Sequence, residues 1–347
     1  MNIRLAQSSD RTAWDAYVMQ HQEGTLFHLI AWKNVIEKSF GHKSYYLMAM
    51  EKDEKMQDAR IAGILPLFRI KSFIFGDYLV SVPFAELGGP VADNEKVCKS
   101  LLDHAINIAE EIKCDYLELR NREKLPNLCS KSLYFNFSKE IFPNVDDNMQ
   151  AIPRKARRMI RVGGKKGLTY KFYSQLPDEF YEIMAKSFHS LGTPVFSQKF
   201  FKNFINEFKG TVDTMIVRNS EGVPVSGVLT FYFKDRVMPY YAGSIFQYRK
   251  LAPNDFMYWE LIKHGCEKGY RIFDFGRSKA DTGSFHFKRH WGFKPEPIAY
   301  QYQLIQLKEM PNLSPSNPKY KKKIELWKKL PYAATKIIGP LIARYLA

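Results

Sequence analysis

Between Tyr240 and Phe293 the chain crowds together side chains with chemical reach: Tyr241 and Ser244, then Asp274 and Arg277, then His286, Phe287, Lys288 and His290. Imidazoles titrate near neutral pH, so His286 and His290 suit proton transfer, with Asp274 and Asp281 as carboxylate alternatives. Asp274 alternates with Phe273 and Phe275, a setting that favours a buried, hydrogen-bonded structural carboxylate. Arg277 follows that apolar run directly and suits a clamp on a phosphate or carboxylate. Further upstream, Arg154 and Arg158 lie one helical turn apart and suit gripping a pyrophosphate or an RNA backbone. His28 and Trp32 share a helical face, where a place at the edge of a substrate cleft competes with core and capping roles.

These residues need elements to hold them. A strand ends at Tyr240-Tyr241-Ala242-Gly243-Ser244, a proline-led helix runs from Pro253 to Lys268, and Ile272-Phe273-Asp274-Phe275 reads as a short buried strand. A Gly- and Ser-containing loop carrying Phe287-Lys288 closes the segment. Strand, helix, strand and polar loop is the order in which α/β proteins build sites at strand ends. The same order occurs about 155 residues earlier. Gly88-Gly89-Pro90 parallels Ala242-Gly243-Ser244, the helix Lys96 to Ile112 parallels Asp255 to Lys268, and Tyr116 to Arg120 parallels Ile272 to Gly276. The spacing implies an internal duplication.

Elsewhere, Phe27 to Phe40 reads as a helix, Tyr45 to Met50 with Ile61 to Phe68 as a hairpin, and Tyr78 to Phe84 as a strand. Asn94 caps a helix whose Leu101, Ala105, Ile108 and Ile112 form one apolar stripe. Arg154 to Val162 reads as a helix ended by Gly163-Gly164. Pro311, Pro315 and Pro318 mark a linker, followed by a basic and then apolar tail.

Of the 347 residues 45% are apolar and 15% aromatic, which excludes a disordered chain. The four cysteines have no paired spacing, which argues against a zinc site or a disulfide framework and suits a reducing cytoplasm. The N-terminus shows no export signal, and no apolar run is long enough to span a membrane. The net charge of +16 is unevenly placed. Eight basic residues and no acid lie between Ala151 and Lys171, and the tail carries Lys319, Lys321, Lys322, Lys323, Lys328 and Lys329 against Glu325. Such clusters suit a polyanionic partner, although a charge run can equally be a solvated face.

Taken in order, the motifs resemble the FemAB-like aminoacyltransferases, a duplicated relative of the GNAT acyltransferases, and in particular the branch that accompanies exosortase and PEP-CTERM exopolysaccharide systems. The resemblance rests on Phe27-His28 with Trp32, Phe40-Gly41-His42, Tyr45-Tyr46-Leu47, Tyr116 to Asn121 and the basic run Arg154 to Arg161. It continues through Asp274 to Lys279, Thr282 to Lys288, Trp291-Gly292-Phe293 and Asn317-Pro318-Lys319-Tyr320. It implies an α+β fold of two GNAT-like acyltransferase domains, each with a mixed, mostly antiparallel central sheet flanked by helices. With the spacing above, the division expected is 1–150, 151–310 and a tail of 311–347.

The resemblance also implies transfer of an aminoacyl or other acyl group from a carrier to an amine of a cell-envelope precursor, nucleotide- or lipid-linked, for exopolysaccharide or peptidoglycan. Phe287-Lys288 matches the family's Phe-Lys motif, which makes Lys288 the stabiliser of the oxyanion or leaving group and Phe287 an aromatic wall. His286 is a candidate proton acceptor beside it, and Tyr241 and Ser244 fall at the strand end that lines GNAT-like sites. Arg277, Arg154, Arg158, Trp32 and His28 are the remaining substrate-binding candidates. No metal or cofactor is implied; the donor is a co-substrate, aminoacyl-tRNA or acyl-CoA. Acyl-CoA enzymes of this fold cradle pyrophosphate on a glycine-containing loop before a helix. Here Gln247 to Ala252 carries Lys250 where the first glycine belongs, which favours the aminoacyl-tRNA donor. The expected setting is cytoplasmic, with peripheral contact to an anionic membrane through the tail. A non-catalytic, basic assembly factor for exopolysaccharide synthesis is the competing reading.

Overall fold

The computed structural model describes residues 1–52, 59–73, 75–311 and 318–346. The chain divides into two compact units, Met1–Tyr134 with Pro297–Leu313 and Arg344–Ala347, and Phe135–Glu296 with Ser314–Ala343.

The first unit contains β1 (Asn2–Leu5), β2 (Lys43–Lys52), β3 (Ala59–Ser72), β4 (Gly76–Val80), β5 (Val91–Ala92), β6 (Tyr116–Asn121) and β7 (Cys129–Lys131). β1 to β4 are antiparallel neighbours in sequence order, with β5 also on β3. β4 then runs parallel to β6, and an antiparallel strand from Ala299–Leu304 lies between β6 and β7. Helices α1 (Arg11–Gln20) and α2 (Ile30–Phe40) bury Trp14, Val18, Trp32, Val35 and Ile36. Helix α3 (Glu95–Glu111) starts where the Val97 amide donates to Asn94 Oδ1 at 3.0 Å. Its Val97, Leu101, Ala105 and Ala109 recur every four residues and pack with Leu47, Leu65, Leu117 and Leu119.

The second unit repeats this plan with β8 (Ser138–Glu140), β9 (Thr169–Tyr173), β10 (Val212–Arg218), β11 (Pro224–Phe233), β12 (Arg236–Ser244) and β13 (Ile272–Asp274). Its strand order is β9-β10-β11-β12-β13-β8, with β12 and β13 parallel and the other pairs antiparallel. The helices are α4 (Val145–Ala151), α5 (Arg154–Lys165), α6 (Asp178–Leu191), α7 (Gln198–Glu207), α8 (Pro253–Glu267), α9 (Gly283–His290), α10 (Pro318–Lys329) and α11 (Tyr332–Ala343). In both units a helix, α3 or α8, connects the parallel pair, so the duplication is present as a shared strand order.

Each sheet is closed beyond its parallel pair by a strand from the far side of the sequence boundary. Strand β14 (Ala299–Leu304) follows the second half but completes the first sheet on β6, and β8 precedes that half but pairs with β13. The observed divisions therefore fall at 134/135, 296/297, 313/314 and 343/344, against the expected 150/151 and 310/311. The tail helices belong to the second unit, with Tyr332 and Lys336 both donating to Glu182 of α6. The expected proline linker includes Pro315, which lies outside the described residues, as does Asn317.

Three local expectations change. β4 ends at Val80, and residues 81–89 form a buried loop in which Val82 and Phe84 both have φ of 59°. Gly163-Gly164 does not end α5; the helix runs on to Lys165, and a Cβ on Gly163 would come 2.7 Å from Phe256 Cβ of α8. The glycine thus serves close helix packing. Phe287-Lys288 lies on a helix, α9, because the Phe285 amide finds a cap in the Thr282 hydroxyl at 3.3 Å.

Candidate functional site

In the second unit the parallel ladder between β12 and β13 has only two rungs, Arg236↔Ile272 and Val237↔Phe273. β12 continues through Met238–Ser244 without further pairing to β13. On its other side the register with β11 slips between Leu229 and Thr230, leaving Tyr240 as an extra residue beside Pro239. A bulge re-aims the strand, and proline is tolerated there because the ladder is already broken. Past Ser244 a helical turn, Phe246–Leu251, exposes Gln247, Arg249 and Lys250 and leads into the N-terminus of α8. A bulged strand parting from its neighbour thus leads into a helix N-terminus.

The end of β13 carries the densest chemistry. Phe285 and Lys288, three apart on α9, both turn inward. Lys288 is only 8% exposed, and its Nζ donates to the carbonyl oxygens of Phe275, Gly276 and Arg277 at 2.7, 2.9 and 3.0 Å. An ammonium has three N–H donors, so the three carbonyls match it one for one. The rings of Phe137 and Phe275, with centroids 5.4 and 6.0 Å away, add cation–π contacts. A buried cation is tolerable only with such partners. Gly276, at φ 65°, makes the turn that stacks these carbonyls. Asp274 holds the base of the turn: its carboxylate accepts from the Gly276 amide at 3.0 Å, Asn136 Nδ2 at 3.4 Å and Arg236 at 3.3 Å. It is the structural carboxylate its flanking phenylalanines suggest.

The other candidates separate. Phe287 lies against Tyr258, Trp291 and Phe275, with ring centroids 5.7, 5.9 and 6.4 Å away. His286 is exposed on α9, and residues two apart on a helix do not face each other, so the helix turns it away from Lys288. Tyr241 is a core residue: its ring sits 5.4–5.9 Å from those of Phe196, Phe200, Phe201 and Phe204. Ser244 is half-buried at the end of β12, in the rung with Ser226. Arg277 is half-buried and joins the site through its carbonyl. Arg154 and Arg158 are exposed on α5, opposite the buried Ala156 and Ile160.

His28 and Trp32 lie inside the first unit instead of on a cleft edge. His28 donates through Nε2 to the Gly89 carbonyl at 2.9 Å, while its Nδ1 is 2.7 Å from the Thr25 hydroxyl. The Trp32 indole donates to the Pro83 carbonyl at 3.3 Å.

Sequence reasoning missed Phe137, Asn136, Arg236 and Asp255. Burial pushes the Asp255 carboxyl above its usual range, and an opposing hydrogen bond from the Trp291 indole, at 3.1 Å, partly offsets this. The first-turn position of Asp255 on α8 was the only signal for it.

The sheet plan, the bulged strand parting from a parallel neighbour and the connecting helix define a tandem GNAT-like fold. Residues 149–289, all within the second unit, match the family model of an acetyltransferase (GNAT) domain. Over 94 residues the chain is 31% identical to the lipid II:glycine glycyltransferase of Staphylococcus epidermidis, a match covering 25% of this chain and 23% of that protein. The chain thus spans about a quarter of the length of the curated relatives it matches. Among solved structures, FemX superposes with a TM-score of 0.64 at 16% identity, over 88% of this chain and 98% of that one. A tandem GNAT protein from the clavulanic acid biosynthesis pathway gives 0.55 at 10% identity, over 89% and 100%. At these identities the solved structures speak for the fold.

Proposed function

We propose that this chain is an N-acyltransferase of the GNAT/FemAB type, moving an aminoacyl group from its ester on tRNA to an amine of a lipid-linked envelope precursor. The observation that carries the reading is the buried Lys288 ammonium beneath the carbonyl turn at the end of β13, beside the strand end where β12 parts from its neighbour. The acceptor nitrogen bonds to the acyl carbon, and negative charge gathers on the carbonyl oxygen. The C–O bond to the carrier then breaks, and the proton lost by the nitrogen ends on the departing oxygen, directly or through water. Lys288 supplies the positive charge for the oxyanion by exchanging one backbone carbonyl for it. Losing one such donor typically costs about 10²–10³ in rate.

The class of acceptor is supported by the partial match to a lipid II:glycine glycyltransferase. If the resemblance to the exopolysaccharide-associated branch holds, it favours an exopolysaccharide precursor over a peptidoglycan one. Exposed Arg154 and Arg158 on α5, with Lys250 at the α8 entrance, support a polyanionic carrier over a CoA pyrophosphate held by glycine amides. Among the described residues no helix is long and apolar enough to cross a membrane.

The test is transfer of labelled amino acid from a charged tRNA pool into lipid-extractable precursor of the native host, with and without ribonuclease, for the wild type and Lys288→Ala. Ribonuclease-sensitive transfer that falls at least about 10²-fold in the variant is expected. Ribonuclease-insensitive transfer stimulated by acyl-CoA would replace the donor and keep the site. Equal transfer by both proteins would remove Lys288 from the chemistry.

A further inference from the structure

Helix α11 of the second unit turns small residues inward and large aliphatic ones outward. On α11, Thr335, Gly339 and Ala343 are buried, and a Cβ on Gly339 would come 3.0 Å from the Val195 backbone. Glu182 accepts from both Tyr332 and Lys336 and fixes the helix on α6. The outward side carries Ile337 and Leu341, one turn apart and 74% and 63% exposed, with Ile338 at 40%. On α10, Trp327 is buried, and Ile324 lies where a Cβ on Gly192 would meet it at 2.6 Å. Leu326 is 63% exposed, and Leu191, which precedes Gly192 in sequence, is 66% exposed. A surface helix normally buries its large apolar residues, and a cluster of exposed ones marks a contact surface.

Charge decides what the contact is. From Pro318 to Leu346 the chain has eight basic residues and one acid, Glu325. Lys322, Lys323, Lys328 and Lys329 are all exposed on α10. An aliphatic helix face beside a basic one suits an interface between acyl chains and anionic headgroups. Twelve residues at about 1.5 Å each reach roughly 18 Å, short of the ~30 Å hydrocarbon core, for α10 and α11 alike. Such a helix lies on a membrane and does not cross it. We infer that α10 and α11 dock this chain on an anionic lipid surface, with Ile337 and Leu341 in the acyl layer and the α10 lysines at the headgroups. The inference stands on the tail alone and is independent of the acyl-transfer reading.

The test is co-sedimentation of the full chain with vesicles of phosphatidylglycerol and phosphatidylcholine, against phosphatidylcholine alone. Binding to the anionic vesicles should be at least about 10-fold tighter and should weaken strongly between about 0.1 and 0.5 M salt. The pair Ile337→Asp with Leu341→Asp should reduce it by about 10-fold or more, and Lys322→Glu with Lys329→Glu should abolish the anionic preference. Because an altered tail can unfold, Ile337→Cys carrying an environment-sensitive fluorophore gives a second readout, with a blue shift expected on adding anionic vesicles. Absence of wild-type binding, unchanged binding by the aspartate variant, or an unshifted fluorophore would overturn the inference. Lipid-free self-association that the aspartate variant abolishes, with no vesicle binding, would assign the face to a second copy of the chain instead.

Discussion

The two halves of the duplication end their parallel strands in opposite ways. In the first unit the β4–β6 ladder has the same two rungs, Leu79↔Leu117 and Val80↔Glu118. There the chain folds back over the gap: the Ser81 amide donates to the Glu118 carbonyl at 2.8 Å, and the Gly88 and Gly89 amides both donate to the Arg120 carbonyl at 3.0 Å. The Arg120 guanidinium, 2% exposed, pairs with Glu118 at 2.8 Å and donates to the Ala85 and Val82 carbonyls at 2.8 and 3.3 Å. His28 and Trp32 bond the same loop. In the second unit the aligned positions are Asp274 and Gly276, and the cation comes from Lys288 on α9. One strand end is sealed by a cation borne on the strand itself. The other has a glycine there and draws its cation from a helix. Duplication supplied the frame twice, and the two ends differ in the element that brings the positive charge.

The contrast is sharpest where a cation is removed. Arg120→Met leaves Glu118 and two carbonyls buried without their donor, and breaking a buried pair this way costs about 3–5 kcal/mol. Urea denaturation should show that loss, while transfer per folded molecule holds; an unchanged midpoint would mean that Arg120 does not hold the seal. Lys288→Met should do the reverse, lowering transfer by about 10²–10³, equivalent to roughly 3–4 kcal/mol of barrier. If the loss of activity merely tracks the folded fraction measured by circular dichroism, Lys288 is a seal like Arg120 and the contrast collapses.

A third test concerns an incompletely paired carboxylate. Glu118 is ion-paired, but Asp213 on β10 accepts only the Tyr232 hydroxyl at 2.8 Å, and its Oδ1 has no hydrogen-bond partner among the described residues. Burial pushes the Asp213 carboxyl up to about 6, against the opposing pull of the Tyr232 hydroxyl. The unfolded chain ionises this group near 4. The folded state therefore binds the extra proton between those values, so stability falls as pH rises from about 4 through about 6 and stays lowered above that. Asp213→Asn should flatten this limb and raise stability at neutral pH by on the order of 2 kcal/mol. A stability–pH curve identical to the wild type would show that the carboxyl is not strained by its burial.

Much of the frame was legible in the sequence because its signals are local. The α3 stripe, the β2–β3 hairpin and the β12–α8–β13 run each lie within a short window and follow from periodicity and caps. Lys288 could be singled out by its motif, but its partners could not. Phe137 reaches it from beside β8, far upstream, and no local pattern announces that β8 and β14 close each other's halves. Tyr241 was ambiguous because burial alternates from Pro239 to Ser244 while the residue types Tyr240-Tyr241-Ala242-Gly243-Ser244 do not alternate in polarity, so the sequence assigns no side. His28 and Trp32 have the composition of a ligand site, and only the buried loop at 81–89, invisible as a loop in an apolar run, shows what they hold.

The smallest expected effect probes the backbone of the comparison. Gly88 lies in the loop after β4 and Gly243 near the end of β12, each beyond the rungs of its parallel pair. A Cβ on Gly88 would lie 2.8 Å from the Ser81 carbonyl oxygen and 2.7 Å from Val82 Cγ2, against a main chain already held by the Glu118 and Arg120 carbonyls. A Cβ on Gly243 would meet Met184 Sδ at 2.9 Å and Ser187 Cβ at 3.1 Å, and the unbranched Met184 can move aside. Gly88→Ala should therefore cost about 1–3 kcal/mol, as overpacking does, and Gly243→Ala about 1 kcal/mol less. Equal losses in denaturant midpoints would mean that both strand ends are packed alike, and that the second unit is no more open than the first.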